Sequence, residues 1–125
     1  MTQSIRERTR AAVQRSPIFA VVRTDNLADA QREADLFIRG GLELIEVTFS
    51  VPGATDMVRE LISQRPDDAN YLVGMGTVTT HSRAVDAVAA GAEFIVSPNT
   101  SAHVAAVAND ADTCLLYTSP SPRDS

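Results

Sequence analysis

Short apolar segments alternate along the chain with longer stretches in which apolar residues recur every three or four positions. The short segments are rich in β-branched or large apolar residues and are bounded by Gly, Pro, Asn or Asp, which is typical of strands. They cover residues 18–23, 42–49, 71–76 and 93–97. Because these segments are apolar at almost every position, they predict a parallel sheet covered by helices.

The longer stretches predict amphipathic helices between the strands. Three of them cover residues 27–39, 55–64 and 82–90, with charged residues between the apolar positions. Asp25-Asn26 and Thr80 occupy positions typical of helix N-caps, whereas Gly40, Gly41 and Gly91 occupy positions where helices end. The pattern therefore predicts a chain of alternating strands and helices, βαβαβαβα.

An internal repeat supports this alternation. The segment GLELIEVT, which begins at Gly41, aligns with GAEFIVSP, which begins at Gly91, and the spacing is 50 residues. This spacing corresponds to two βα units of similar size, and such units build both barrels and doubly wound sheets. The repeat does not choose between these two architectures.

The first residues, MTQSIRERTRAAVQRS, are basic but lack the apolar core of a signal peptide. Their spacing of Ile5, Ala12 and Val13 favours a short surface helix, and an Arg-rich transit peptide is the alternative. The later apolar runs are much shorter than the roughly 20 residues of a membrane span. We therefore expect a cytoplasmic protein without a membrane partner.

The last residues lose both periodicities. After Asp112 the helical spacing stops, and the segment CLLYTSPSPRDS contains two prolines and three serines. This composition predicts a disordered segment over residues 114–125. Its first part, CLLYTSPSPRD, also resembles the translation of a transposon-end sequencing adapter, so we expect the natural sequence to be interrupted near Thr113.

Charge and composition exclude several functions. The net charge of −5 and the pI near 4.8 argue against a nucleic-acid partner. All of the 11 cationic residues are arginine, so the chain itself supplies no lysine amine as a nucleophile or base. The single Cys114 forms no intramolecular disulfide, which fits a reducing compartment.

Glu46 is the first candidate for chemistry because it interrupts an apolar strand. Side chains alternate across a strand, so Leu44, Glu46 and Thr48 share one face and the other face is entirely apolar. We expect the apolar face to meet the helices, which leaves Glu46 near the carboxyl end of the opposite face with Thr48 as a substrate-binding neighbour. Partial burial there would raise the pKa of Glu46 and suit it to proton transfer. A structural ion pair with a nearby arginine is the alternative.

Arg23 ends the first predicted strand. At that position its guanidinium group could bind a carboxylate or phosphate in a bidentate manner. A structural pairing with Glu46, or simple solvation, would explain the residue as well.

Glycines lie at the end of the third predicted strand, in the sequence GMGT. Gly74 and Gly76 could leave space for a small substrate beside Glu46, and Thr77 offers a hydroxyl group and an N–H group to an anion. The sequence matches neither a dinucleotide fingerprint nor a Walker loop. Close packing against a helix would explain the two glycines equally well.

The remaining candidates lie at the ends of strands and starts of helices. In Ser97-Pro98-Asn99, Pro98 could form a pocket wall or only a turn. His81 and His103 have no cysteine or carboxylate at metal-ligand spacing, so we expect surface histidines and no metal.

Four segments in this order, IFAVVRT, GGLELIEVTFSVPGA, LVGMGTVT and GAEFIVSPNT, closely resemble the amino-terminal half of the 2-keto-3-deoxy-6-phosphogluconate (KDPG) and 4-hydroxy-2-oxoglutarate (KHG) aldolases. The resemblance covers approximately residues 12–113. It implies a class I aldolase on a (β/α)₈ barrel, truncated here to about four βα units over residues 1–113. It further implies a lyase that uses pyruvate and a phosphorylated keto-deoxy sugar acid, needs no cofactor and forms a homotrimer.

The resemblance also implies roles for individual residues. Glu46 of EVT would be the general acid and base, and it would move protons through water. Thr77 of GMGT would bind the pyruvate carboxylate, Pro98 of SPN would line the pocket, and Arg23 of VVR would reach anionic groups of the substrate. Gly76 would lie beside the bound substrate.

Two features depart from the family pattern. Many members have an arginine four residues after the glutamate of EVT, where this chain has Ser50. The Schiff-base lysine and the phosphate site of the family lie on later strands and loops, beyond Thr113. We therefore expect the 125-residue chain to have no aldolase activity. Another keto-acid lyase or decarboxylase on a barrel, and a small non-catalytic α/β binding domain, are the alternative functions.

Overall fold

The computed structural model describes residues 4–15, 18–98 and 102–117, which form one parallel sheet with helices between its strands. In chain order the elements are α1 (Ile5–Arg15), β1 (Phe19–Val22), α2 (Leu27–Arg39), β2 (Leu44–Thr48), α3 (Ala54–Ser63), β3 (Leu72–Gly76), α4 (His81–Ala89), β4 (Phe94–Ser97), α5 (Ala102–Asp110) and β5 (Cys114–Tyr117). The four strands and three helices given bounds above are confirmed to within two residues.

Local capping explains why the boundaries were predictable. The Asn26 side chain accepts a hydrogen bond from the backbone N–H of Asp29 at 2.8 Å, and the Thr80 hydroxyl accepts one from Arg83 at 3.1 Å. Gly41 and Gly91 adopt φ values of 87° and 89° after α2 and α4, a conformation that favours glycine.

The strand order decides between the two architectures that the repeat left open. The strands lie side by side as β1-β2-β3-β4-β5, and every neighbouring pair is parallel. A doubly wound sheet reverses its strand order at a switch point, whereas the strands of a (β/α)₈ barrel follow one another around the barrel. The sheet is therefore the first part of a barrel wall.

The two faces of the sheet bury different sets of side chains. The outer face contacts helices α2 to α5 through one large apolar cluster, in which the strands contribute Ala20, Val22, Ile45, Val47, Val73, Met75 and Ile95. The small residues Ala30, Ala34, Ala84 and Ala87 let α2 and α4 approach the sheet closely. The all-apolar face of β2 therefore meets the helices, as its alternation predicts.

The inner face carries a second cluster at the amino-terminal end of the strands. Leu44, Leu72 and Phe94 pack there against Ala12 of α1, which is 0% exposed. Helix α1 is thus the surface helix that the spacing predicts, with Thr9 and Ala12 buried on its inner side. Its apolar stripe is short, but it closes the lower end of the concave face, and the arginines on its other sides remain near solvent.

A fifth strand corrects the prediction of disorder for the first four of residues 114–125. Cys114–Tyr117 pairs with β4 in parallel, Cys114 is 6% exposed and Leu116 packs against the inner cluster. Four apolar residues suffice for a strand here because β4 provides a ready edge. Residues 118–125 lie outside the described part, and the strand does not test where the sequence after Thr113 originates.

A buried ion pair joins the amino-terminal ends of β3 and β4. Arg65 forms two hydrogen bonds to Glu93, at 2.5 and 2.8 Å, and donates a third to the carbonyl of Tyr71. The Glu93 carboxylate also accepts from the backbone N–H of Val73 at 3.0 Å. Hydrogen bonding to Glu93 raises the pKa of Arg65. The structural ion pair considered for Glu46 is thus made by Glu93, at the opposite end of the sheet.

Candidate active site

Glu46 lies on the inner face of the sheet, near the carboxyl end of β2. It is 6% exposed and pairs in register with Gly74 of β3 and Val21 of β1. Catalytic groups of barrel enzymes occupy this end of the strands. The position therefore combines burial with access from the concave face.

The two glycines of β3 make room for side chains of the protein itself. A Cβ atom on Gly76 would lie 2.6 Å from Cδ of Glu46, and one on Gly74 would lie 2.5 Å from the backbone oxygen of Phe94. The expected vacant space at Gly74 is therefore filled by the Phe94 ring, and Gly76 accommodates the Glu46 carboxylate. Helix packing, the alternative explanation, is also wrong, because both neighbours belong to strands.

The electrostatic surroundings of Glu46 favour its protonated form. Burial raises the pKa of its carboxyl group, and the positive charge of Arg23 partly opposes this effect. Among the described residues, no side chain or backbone group donates a hydrogen bond to the carboxylate. A raised pKa and unused acceptor atoms are the properties of a group that exchanges protons with a ligand or water.

Arg23 follows β1 directly and stays exposed. It is two residues beyond Val21, so it lies on the same side of the strand as the partner of Glu46. The structure shows no ion pair between Arg23 and Glu46, and their interaction is through space. The structural-pair explanation for Arg23 is therefore wrong, and its guanidinium group is accessible to an anion.

Thr77 adopts an unusual backbone conformation at the end of β3. Its φ is 59°, in the left-handed region that β-branched residues seldom occupy. Arg83 donates a hydrogen bond to the Thr77 carbonyl at 3.0 Å, and its guanidinium group lies 5.4 Å from the centre of the Phe49 ring. No sequence motif links Arg83 to Thr77, which lies six residues earlier, so this contact is visible only in the structure.

Thr48 and Pro98 complete the predicted set. Thr48 is fully buried beside Glu46 on β2, and its hydroxyl group lies 2.6 Å from that of Ser50. Pro98 is exposed directly after the buried Ser97. The structure thus brings Glu46, Thr48 and the GMGT segment together, while Pro98 lies at the rim and Asn99 lies outside the described part.

The other candidates lie apart from Glu46. The rings of His81 and His103 meet edge to face, with their centres 6.4 Å apart, and both side chains are exposed. The described residues contain no group of three or more His, Cys, Asp or Glu side chains that could hold a metal ion. Burial raises the pKa of the Cys114 thiol. In the same part of the chain, no helix has the length and apolar character of a membrane span.

Two cavities in the described part of the chain lie away from Glu46. One of about 710 Å³ lies between α2 and α3 on the outer face, and one of about 200 Å³ lies beside α1. Neither is lined by a predicted site residue.

The raised pKa of Glu46 predicts how stability depends on pH. The folded chain holds this proton more tightly than the unfolded chain, so the contribution to stability is complete below about pH 4 and is lost as pH rises through the folded-state pKa. Glu46→Gln, which is neutral throughout, should therefore raise the thermal midpoint at pH 7 and leave it unchanged near pH 3.5.

Thermal unfolding followed by circular dichroism between pH 3.5 and 8 would measure this difference. Glu60→Gln, at an exposed position of α3, is the matched control for the loss of one negative charge. Equal pH profiles for the Glu46→Gln variant and the unaltered chain would contradict the assignment.

Comparison with known proteins identifies the family of this half barrel. A sequence model of the family described as "KDPG and KHG aldolase" matches residues 9–122. The chain belongs to this family. The match includes β2, with Glu46, and the GMGT segment at the end of β3.

Individual family members match at similar levels. The chain is 34% identical over 109 residues to the 2-dehydro-3-deoxy-phosphogluconate aldolase of Haemophilus influenzae, covering 87% of this chain and 48% of that protein. It is 37% identical over 95 residues to the corresponding aldolase of Treponema pallidum, covering 76% of this chain and 44% of that protein. The chain thus spans about half the length of the curated relatives it matches.

Solved structures agree with the fold. KDPG aldolase from Legionella pneumophila, with pyruvate captured at low pH as a covalent carbinolamine intermediate, superposes with a TM-score of 0.74 and 32% identity. The superposition covers 91% of this chain and 54% of that one. The aldolase from Zymomonas mobilis superposes with a TM-score of 0.75 and 28% identity, and the superposition covers 98% of this chain and 55% of that one. The five strands are therefore about half of a TIM barrel.

Proposed function

We propose that the full-length protein to which this half barrel corresponds is a class I aldolase. It would cleave KDPG to pyruvate and glyceraldehyde 3-phosphate. The observation that carries the proposal is the carbinolamine of the Legionella pneumophila relative, since a carbinolamine forms when an amine adds to the carbonyl carbon of pyruvate. The placement of Glu46 on the matching half of the barrel supports the same chemistry.

In this mechanism the amine comes from outside the 125 residues, because the chain has no lysine. The amine attacks the keto carbon, and the resulting carbinolamine loses water to give a protonated imine. The bond between the third and fourth carbons then breaks, its electron pair moves toward the imine nitrogen, and the fourth-carbon hydroxyl releases a proton as the aldehyde forms. Each of these steps needs a group that gives and takes protons.

Glu46 is the residue of this chain that we assign to proton transfer. Its burial, raised pKa and free acceptor atoms fit a group that alternates between acid and base. Water would carry the proton between Glu46 and the reacting oxygen atoms. We assign the Thr77 hydroxyl and the backbone held by Arg83 to the pyruvate carboxylate, and Arg23 to the anionic end of the substrate.

The assignment of Thr77 has physical support in its conformation. Strained backbone persists where surrounding contacts hold it, and such positions cluster at ligand-binding sites. Arg83 holds the backbone carbonyl of Thr77 through a hydrogen bond. The side-chain hydroxyl of Thr77 has no hydrogen-bond partner among the residues that the structure describes. The hydroxyl is therefore available to a carboxylate oxygen.

Borohydride trapping with labelled pyruvate tests the proposal. Residues 1–113 would be fused to the part of the Haemophilus influenzae aldolase that follows its matching stretch, which gives a hybrid barrel. We expect the hybrid barrel to become labelled and to release pyruvate from KDPG. The unfused 125-residue chain should show no label above that of its N-terminal amine, located by peptide mapping.

Two results would contradict the proposal. Internal labelling of the unfused chain would show that another group supplies the nucleophile. A hybrid barrel that folds, as judged by a cooperative thermal transition, but neither traps pyruvate nor cleaves KDPG or KHG would show that this half does not support aldolase chemistry.

A further inference from the structure

A cavity of about 200 Å³ lies at the amino-terminal end of the sheet, away from the candidate active site. One wall is a stripe of α1 formed by Arg8, Ala11 and Arg15, and the other is the start of β3 at Asn70 and Leu72. Residues seven apart share a helix face, so both guanidinium groups border the same space.

The arginines of this cavity are only partly neutralised. Arg15 donates one hydrogen bond to Glu43 at 3.0 Å, and its other N–H groups stay available to a ligand. The half-buried Arg8 side chain forms no ion pair or hydrogen bond with any residue in the described part of the chain. Two guanidinium groups therefore face one carboxylate, and the exposed Asn70 side chain adds a neutral amide donor.

The rest of α1 increases the positive potential at this end. Besides the two arginines of the cavity, the helix carries Arg10 and Arg6, of which Arg6 pairs with Asp112 at 3.4 Å, against the single acidic residue Glu7. The whole chain has a net charge of −5, so this concentration of cations is local. Electrostatic fields of this kind attract small anions to a concave, partly desolvated site.

We propose that the cavity beside α1 binds a phosphate-class oxyanion. Planar guanidinium groups match the tetrahedral oxygens of phosphate through paired hydrogen bonds, and the Asn70 amide can donate another. The ligand is free phosphate or the phosphate end of a small ester. Because the cavity lies at the opposite end of the strands from Glu46, this site is independent of the proposed aldolase chemistry.

An NMR titration of the 125-residue chain with sodium phosphate tests the proposal. Sodium chloride would hold the ionic strength constant, and the Nε–Hε signal of Arg8 and the side-chain amide of Asn70 would report binding. We expect saturable shifts of both signals. Arg8→Gln should weaken binding about tenfold, the effect of losing one charge-assisted hydrogen bond. Arg10→Gln, on the same helix but outside the cavity, should change it less than twofold.

A second ligand identifies the bound species, and a second variant keeps the test informative if Arg8→Gln fails to fold. Glycerol 3-phosphate that binds more tightly than phosphate would identify an ester as the ligand, and equal binding would identify free phosphate. Asn70→Asp places a carboxylate at an exposed position and should abolish binding without unfolding the chain. No saturable shift with either anion, equal weakening by Arg8→Gln and Arg10→Gln, or unchanged binding by the Asn70→Asp variant would overturn the proposal.

Discussion

Gly74→Ala is expected to destabilise the chain by about 3 kcal/mol, the upper end of the usual range for overpacked cores. The added Cβ atom would meet the Phe94 ring and would lie 2.5 Å from the Phe94 backbone oxygen. The ring can rotate only within a packed cluster, and the carbonyl can move only with β4. Since small domains are stable by roughly 5–15 kcal/mol, this loss would remove much of the stability.

Urea unfolding followed by circular dichroism would measure the change. Gly40→Ala is the matched control, because Gly40 has an ordinary helical conformation, with φ of −75°, at the end of α2. It should change stability by less than about 1 kcal/mol. If Gly74→Ala falls within that same range, β3 and β4 are not packed as closely as the structure indicates.

Glu46→Gln in the hybrid barrel is expected to lower kcat for KDPG cleavage by about 10²–10⁴-fold, the usual contribution of general acid–base catalysis. Glutamine keeps the size of glutamate and fits beside Gly76, but it cannot exchange a proton. Trapping of pyruvate by borohydride should also slow, because imine formation needs the same proton transfers. Steady-state cleavage and single-turnover trapping would measure the two effects.

The pH profile separates a catalytic role from a structural one. The unaltered hybrid barrel should show a limb in kcat that reports the raised pKa of Glu46, and the Glu46→Gln variant should lose that limb. Glu60→Gln, at its exposed position on α3, should retain full activity. A Glu46→Gln variant with kcat within threefold of the unaltered protein would sink the assignment.

Both predictions depend on two glycines on the inner face of β3. Gly74 and Gly76 remove Cβ atoms from the inner face of β3, and the neighbouring strands fill the space with Phe94 and Glu46. The first contact stabilises the sheet, whereas the second buries an ionisable group without a partner among the described residues. The stability of the sheet thus depends on the glycine beside Phe94, and the chemistry of Glu46 depends on the glycine two residues later.

Local signals account for the parts of the fold that were predicted correctly. The N-caps Asn26 and Thr80 and the glycines Gly41 and Gly91 act over a few residues, so their effect is readable in the sequence. Alternation along β2 also placed Glu46 on the face opposite the helices. The prediction of disorder was wrong for residues 114–117, because the strand that they form depends on a distant partner, β4.

The sequence by itself determined the order of strands and helices, the face on which Glu46 lies and the absence of a lysine from these 125 residues. These properties follow from residue periods, local capping and composition. Only the tertiary structure decided that the strands follow a barrel order, that Glu93 rather than Glu46 forms the buried ion pair with Arg65, and that Arg83 holds Thr77. The physical reason is that a side chain's partner across a sheet or turn depends on strand register, which no local pattern specifies.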